Sequence, residues 1–438
     1  MKKDGSIEFE TIKSHKNRLY FLCGFVCVVV LLIIFVVTRS HAKYRVTQSI
    51  PLVNGTINYS LPDLNIVGLY IDGEEATELD SSKTYTLDTT QSTCTYKDGT
   101  EIENLNISYE SETEKLTITP FTTKGTKCTL YFEEQVFVKD TILANYPTVK
   151  TRTFPLTTSS KVEGNTTGTI YKSANSNQYD NDGEVYYFAG NPTDNWVKWA
   201  GFYWRIIRIN GNGSIRMIYQ GTSPNTTGSN TQLQTSTFND DYNRSEYVGL
   251  KYTEGEQHGQ NSNSTIMGVL NTWYSENIEK TDYADDIDTN VGFCSDRNMA
   301  SGYSWSSQPS STIYYAAYGR LVQSSSNVNP SFKCSNSSDI LKIPVGLITA
   351  DETVYAGLAW SSGNSSNYLY TNQNYWTMSP YFFSSSVSRA GVFYVYSTGQ
   401  LHDTGVNNTN GVRPAINLRA NVTISDGDGT SSNPYVIE

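Results

Sequence analysis

The sequence is poor in the residues on which catalysis and metal binding usually draw. It has four histidines, His15, His41, His258 and His402, and none stands at a zinc-ligand spacing from another. No His-Glu-x-x-His segment, no Gly-x-Ser-x-Gly elbow and no glycine-rich phosphate loop occurs. The six cysteines form no Cys-x-x-Cys pair, which leaves zinc ribbons and thioredoxin-like motifs without support. Charged residues make up only 17% of the chain, against about 25% in ordinary domains. The net charge of −11 argues against a nucleic-acid partner, which calls for a basic stripe. Two acidic stretches stop short of a calcium loop. Asp180–Glu184 places its glycine fourth instead of sixth, and Asp426–Gly429 reads as a turn. The expectation is no metal, no cofactor and no enzyme.

What is present begins with one long apolar run. Residues 19–38 carry no charge and as a helix would span about 30 Å, the thickness of a hydrocarbon core. A cleaved signal peptide has a shorter apolar region, about 7–15 residues, so the run is read as a single transmembrane anchor. Lys2, Lys3, Lys13, Lys16 and Arg18 precede it, and Arg39, Lys43 and Arg45 follow. The basic excess puts the N-terminus in the cytoplasm and the bulk of the chain outside the cell membrane.

The cysteines agree with that placement. Cys23 and Cys27 lie within the apolar run. The remaining four fall two to a region, Cys94 with Cys128 and Cys294 with Cys334. Two local disulfides in an oxidising compartment are the simplest account.

Five zones follow: a cytoplasmic tail (1–18), the anchor (19–38), a small β-sandwich stalk domain (43–135), a linker (136–165) and a surface domain (166–438). The fold class expected is mainly β with a few helices, α+β. Alternation of apolar and polar residues marks strands near 56–60, 66–71, 83–87, 105–109, 115–119 and 128–132. Pro147, Pro155 and a run of Thr and Ser argue for the linker.

The surface domain opens with a hairpin, Tyr203–Ile209 and Ser214–Tyr219 about the turn Asn210–Gly213. A helix follows, capped by Ser264, with Ile266, Val269, Leu270, Trp273, Tyr274 and Ile278 at helical spacing. A second, shorter helix starts at the capping box Thr349–Glu352, is entered from a strand at Ile343–Ile348 and ends by Gly357. Strands return at Tyr375–Ser379, Gly391–Tyr396 and Gly411–Leu418. Trp204 and Trp376 are assigned to the core, and Arg413 to a structural role.

The segments Tyr186–Trp196, Phe202–Gly211, Ile343–Glu352, Tyr375–Pro380 and Gly411–Leu418 resemble a family of uncharacterised bacterial membrane-anchored surface proteins with a C-terminal domain of unknown function. More loosely, residues 166–438 resemble the C-type-lectin-like fold in its formylglycine-generating-enzyme variant. That enzyme's paired catalytic cysteines have no match near this C-terminus, so the resemblance implies a scaffold and not an activity. The same scaffold is similar to the carriers of diversity-generating retroelements, whose last strands hold hypervariable positions.

The layout suits a recognition face. Between Pro380 and Gly411 lies a stretch dense in Tyr, Ser and Asn, residue types that give adaptable contact surfaces. The expected binding residues are Tyr381, Phe382, Phe383, Ser384, Ser385, Ser388, Tyr394, Tyr396, His402, Asp403, Asn407, Asn408 and Asn410. The function expected is therefore a cell-surface-anchored binding protein, adhesin-like or receptor-like, for an extracellular protein or glycan ligand, with a face open to diversification. The alternatives are an extracellular cell-wall or glycan-active enzyme, for which Asp351 and Glu352 are the default acid pair, and a structural envelope protein.

Overall fold

The computed structural model describes residues 64–437 apart from 81–82, 111–112, 114, 121–124 and 136. The anchor expected at 19–38 and the strand expected at 56–60 lie outside the described residues. No helix among the described residues is long and apolar enough to cross a membrane. The structure is mostly strand with few helices, and it divides into two compact units, Met1–Gln135 and Val136–Glu438.

The first unit is built around one long strand. Strand β1 (Leu64–Ile71) runs parallel to Thr126–Gln135, while β2 (Thr84–Leu87) and β3 (Thr93–Tyr96) pair with it antiparallel. A separate hairpin joins β4 (Asn106–Glu110) to β5 (Lys115–Thr119), and the long strand itself is β6. Thr126, Cys128, Leu130 and Phe132 are buried, whereas the residues between them are not. That period of two is what a strand with one covered face requires. Cys94 and Cys128 stand directly opposite each other in the β3–β6 register and are disulfide-bonded.

The second unit carries two larger sheets. In the first, β11 (Phe202–Ile209) pairs on one side with β10 (Trp196–Trp199) and on the other with β12 (Ile215–Gly221). These follow β7 (Thr148–Thr151), β8 (Thr169–Lys172) and β9 (Tyr186–Tyr187) in the chain. The β11–β12 turn is where the sequence places it, with Gly213 at φ +87°. The second sheet is centred on the meander β13 (Tyr375–Ser384), β14 (Arg389–Tyr396) and β15 (Gln400–Gly405). All seven residues of β12 are buried, so both of its faces are covered and no alternation shows.

Helix α2 (Thr265–Asn277) follows its sequence signals. Ser264 caps it, and Ile266, Met267, Leu270 and Trp273 are buried, each worth about 1.5–3 kcal/mol of transfer free energy. The second expected helix, Ala350–Tyr355, has the complete Thr349–Glu352 capping box. Just after it, Gly357 sits at φ +97°, where a Cβ would lie 2.6 Å from Val162.

Three expectations differ from the structure. Residues 136–165 are not a bare linker. They supply helix α1 (Val138–Ala144), which buries Val138 and Ile142, and β7, which runs parallel to β8. Tyr146 is buried with its hydroxyl donating to Asp194 O, and the buried Arg152 donates to Val354 O and Tyr355 O at 2.7 and 2.9 Å. A few anchoring side chains among many Thr and Ser carry no periodic signal. Ile343–Ile348 is not a strand: it bends at Pro344, which has no N–H to give a ladder, and makes one bridge, Gly346 to Ala415. Finally, Gln400–Gly405 is a strand that alternation did not mark.

Trp204, Trp376 and Arg413 are fully buried. The Arg413 guanidinium donates to Tyr219 O at 3.0 Å, Leu369 O at 3.2 Å and Gln220 Oε1 at 2.6 Å, and lies 4.6 Å from the Tyr375 ring centre. It ties β12 to the loop at Leu369 through carbonyl oxygens and packs on a ring of β13.

Candidate functional site

Register brings the first side chains of the site together. Tyr394 stands opposite His402, Tyr396 opposite Gln400, and Phe393 opposite Asp403. Directly opposed residues share a sheet face, so Tyr394, Tyr396 and His402 lie on one face while Phe393 and Asp403, one residue along, lie on the other. The His402 ring accordingly lies 5.9 Å from Tyr394 and 6.3 Å from Tyr396. A loop then adds Trp360. Leu401 N donates to Ala359 O at 2.9 Å and Gln400 Nε2 to Trp360 O at 2.5 Å, which fastens the loop along the outer edge of β15. The Trp360 ring stacks on His402 at 5.3 Å and on Tyr381 at 5.4 Å.

An aromatic column supports this shelf from below. Tyr381 packs on Phe393 at 4.8 Å and on Tyr318 at 5.4 Å, and Tyr318 stacks on Tyr314 at 4.1 Å. The column runs from fully buried Phe393 to Tyr396, which is 39% exposed, and to the half-exposed His402. Such packing holds the outer rings in place, so a ligand meets a surface that has already lost its rotamer freedom.

Polar groups complete the shelf. His402 Nδ1 lies 2.8 Å from Asp403 N and 3.0 Å from Asp403 O, so the neighbouring backbone engages this nitrogen and leaves Nε2 as the ring's second polar atom. The Asp403 carboxylate lies 3.6 Å from His402 Nδ1. Burial pushes the Asp403 carboxyl above its ordinary value, with His402 and Arg389 pulling the other way. Burial likewise raises the Tyr394 phenol, with Tyr396 and Asp403 adding to it. The set comprises stacking faces, an imidazole and a carboxyl group. It is equipped to hold a ligand, and among the described residues no group of His, Cys, Asp and Glu is arranged to hold a metal ion.

The thirteen expected residues divide. Tyr394, Tyr396, His402 and Asp403 converge on the shelf, and Tyr381 lies beneath it. Phe382 covers Gly391, whose Cβ position its ring would meet at 2.7 Å, and Phe383 belongs to the main core. Ser384 and Ser385 are half-buried and Ser388 is exposed, all near the β13–β14 turn. Asn407 and Asn408 are exposed in the turn after β15, and Asn410 is buried. The run Tyr381–Phe383 cannot form one outward patch because both faces of β13 are covered. Trp360, Tyr314 and Tyr318 escaped sequence reasoning. The one available signal was a lone tryptophan in the polar segment 360–366.

A second polar cluster reads differently. A cavity of about 40 Å³ is bordered by Asp180, Arg208, Arg216, Asp296, Arg320 and Glu352, room for a few waters at most. Glu352 accepts from Arg216 at 2.8 Å and forms an ion pair with Arg208 Nε at 3.0 Å, and Asp351 takes both Nε and Nη2 of Arg320. Burial alone would raise the Glu352 carboxyl, but the two guanidiniums outweigh it and hold it below its usual value. A general acid needs the opposite shift. Asp351 and Glu352 therefore serve the helix first turn and the arginines.

A family model described as a domain of unknown function, DUF6273, matches residues 321–420. This stretch contains Trp360, the whole β13–β15 meander and Arg413. No curated protein and no solved structure matches the chain.

Proposed function

We propose that this chain is a cell-surface-anchored binding protein whose recognition surface is the shelf of Trp360, Tyr394, Tyr396, His402 and Asp403, carried on a C-type-lectin-like scaffold. The observation that carries the reading is the meeting of the exposed Tyr396 and His402 rings with the half-buried Trp360, the buried Tyr394 and a desolvated carboxylate at one sheet edge, braced by a buried aromatic column. The apolar run at 19–38 supports the anchoring, and the two disulfides suit an extracellular setting. The ligand is an extracellular protein or glycan. Exposed Ser388, Tyr396, His402, Asn407 and Asn408 are the positions at which the face can vary without disturbing the core.

The test is display of the full chain on cells probed with arrays of glycans and extracellular proteins. A ligand of the wild type should lose at least about tenfold in affinity to a Tyr396→Ala/His402→Ala variant, since buried aromatic anchors dominate recognition. Unchanged binding by that variant sinks the assignment of the face. Sequencing of this gene across its source population gives an independent check. Substitutions should cluster at the exposed positions of 381–410 and spare Tyr381, Phe383 and Asn410. Uniform low variation removes diversification while leaving a fixed ligand.

A further inference from the structure

An open depression of about 560 Å³, sharing no residue with the aromatic shelf, lies elsewhere in the second unit. Lys251 and Lys342 line it, with Ile340 and Ile343 as its apolar wall. No carboxylate lines it, in a chain with 43 acidic and 32 basic residues. Lys251 and Lys342 make no ion pair with a carboxylate among the described residues, so the two ammonium groups of the depression are uncompensated. Gln260, Asn290 and Ser337 supply neutral polar groups. Gln260 Nε2 is already given to Ser338 O at 2.5 Å, which leaves its amide oxygen as an acceptor.

The walls are held from within by Arg297, which is fully buried. Its Nη1 donates to Gly259 O at 2.7 Å and Lys251 O at 3.2 Å on one side. Its Nε donates to Asp339 Oδ1 at 3.1 Å on the other. His258 Nδ1 meets the same carboxylate at 3.0 Å. The Cys294–Cys334 disulfide and the pairing of Phe293–Cys294 with Ile340–Leu341 fix the second wall. The backbone that carries the two lysines is therefore braced on both walls.

We propose that this depression is a second binding site, for a segment of anionic polysaccharide bearing carboxylate or sulfate groups. The ammonium groups take the anions, the isoleucines face the C–H side of a sugar ring, and the amides and Ser337 meet its hydroxyls. The site is independent of the aromatic shelf.

The probes are dextran sulfate, carboxymethyl dextran, uncharged dextran and poly-glutamate, immobilised and exposed to the full-length chain. The chain should be retained on the two charged dextrans and not on the uncharged one, with retention falling as salt rises. Lys251→Gln/Lys342→Gln should weaken that binding about tenfold, while Lys198→Gln/Lys280→Gln, at exposed sites elsewhere, should change it by less than about twofold. The Tyr396→Ala/His402→Ala variant should keep it in full, which separates this site from the shelf. Absence of retention on both charged dextrans, indifference to the Lys251/Lys342 substitutions, or equal retention on poly-glutamate would each overturn the proposal.

Discussion

The two compact units solve the burial problem in different ways. The first uses strands with one covered face, a small apolar core around Leu69, Leu130 and Phe132, and a disulfide between neighbouring strands. The second covers both faces of its central strands and threads its core with charge: Arg216, Arg297 and Arg413 are fully buried. Each of those arginines finds partners far away in sequence, as in Arg216 with Glu352 and Arg297 with Asp339. A one-faced sheet is stabilised by alternation that any single strand displays. A two-faced sheet with buried charge is stabilised by pairings that exist only after folding. The first unit should therefore tolerate loss of a single polar group, and the second should not.

Tryptophan makes the comparison measurable, because all seven tryptophans lie between residues 196 and 376, in the second unit. The largest expected effect is Glu352→Ala. It strands Arg208 and Arg216 in the core and should destabilise the second unit by about 3–5 kcal/mol, read as an early tryptophan transition in urea. The first unit's calorimetric transition should stay in place. A common shift of both would break the division into independently stabilised units.

Next in size is the Cys94→Ser/Cys128→Ser variant, which frees a 34-residue separation in the first unit and should cost about 4 kcal/mol. Here the tryptophan transition should not move. Third is Thr349→Ala, which removes the cap hydrogen bond to Glu352 N and should cost about 1 kcal/mol, again in the second unit alone.

The smallest effects are in the pH dependence, and they have opposite signs. Glu352 is held low in the fold, so its stabilisation is complete above the unfolded carboxylate value of about 4.3. It fades as pH falls through the folded value, and the second unit should weaken in acid. Asp403 is pushed up, so its ionisation opposes folding once pH rises through its folded value and has no effect below the unfolded one. Asp403→Asn should then raise the second unit's melting temperature slightly at pH 7, by no more than about 0.5 kcal/mol in stability, and change nothing at pH 2. A destabilising Asp403→Asn at pH 7 would mean that the carboxylate is structural, not poised for a ligand.

Much of the fold was legible where a rule is local. Ser264 and the Thr349–Glu352 box announce helices because a cap acts on N–H groups two or three residues away. Asn210–Gly213 announces a hairpin because the turn demands particular backbone angles. The aromatic shelf was legible only in part. The stretch 381–410 did hold Tyr394, Tyr396, His402 and Asp403, yet it also held Phe383 and Asn410, which face inward. Composition records which residues are available, while exposure depends on what covers each side of a strand. The β13 strand is covered on both sides by elements distant in sequence, among them Tyr314 and Tyr318.

By itself, then, the sequence determined the mainly β character, both disulfide pairings, the helix starts and the poverty of catalytic groups, since each depends on residue type and short spacing. Only the tertiary structure decided that 136–165 is part of the second unit, that Trp360 joins the shelf, and that Asp351 and Glu352 are committed to arginines. Those outcomes rest on contacts between residues from about 30 to more than 200 positions apart, where burial and charge pairing act in space and leave no period along the chain.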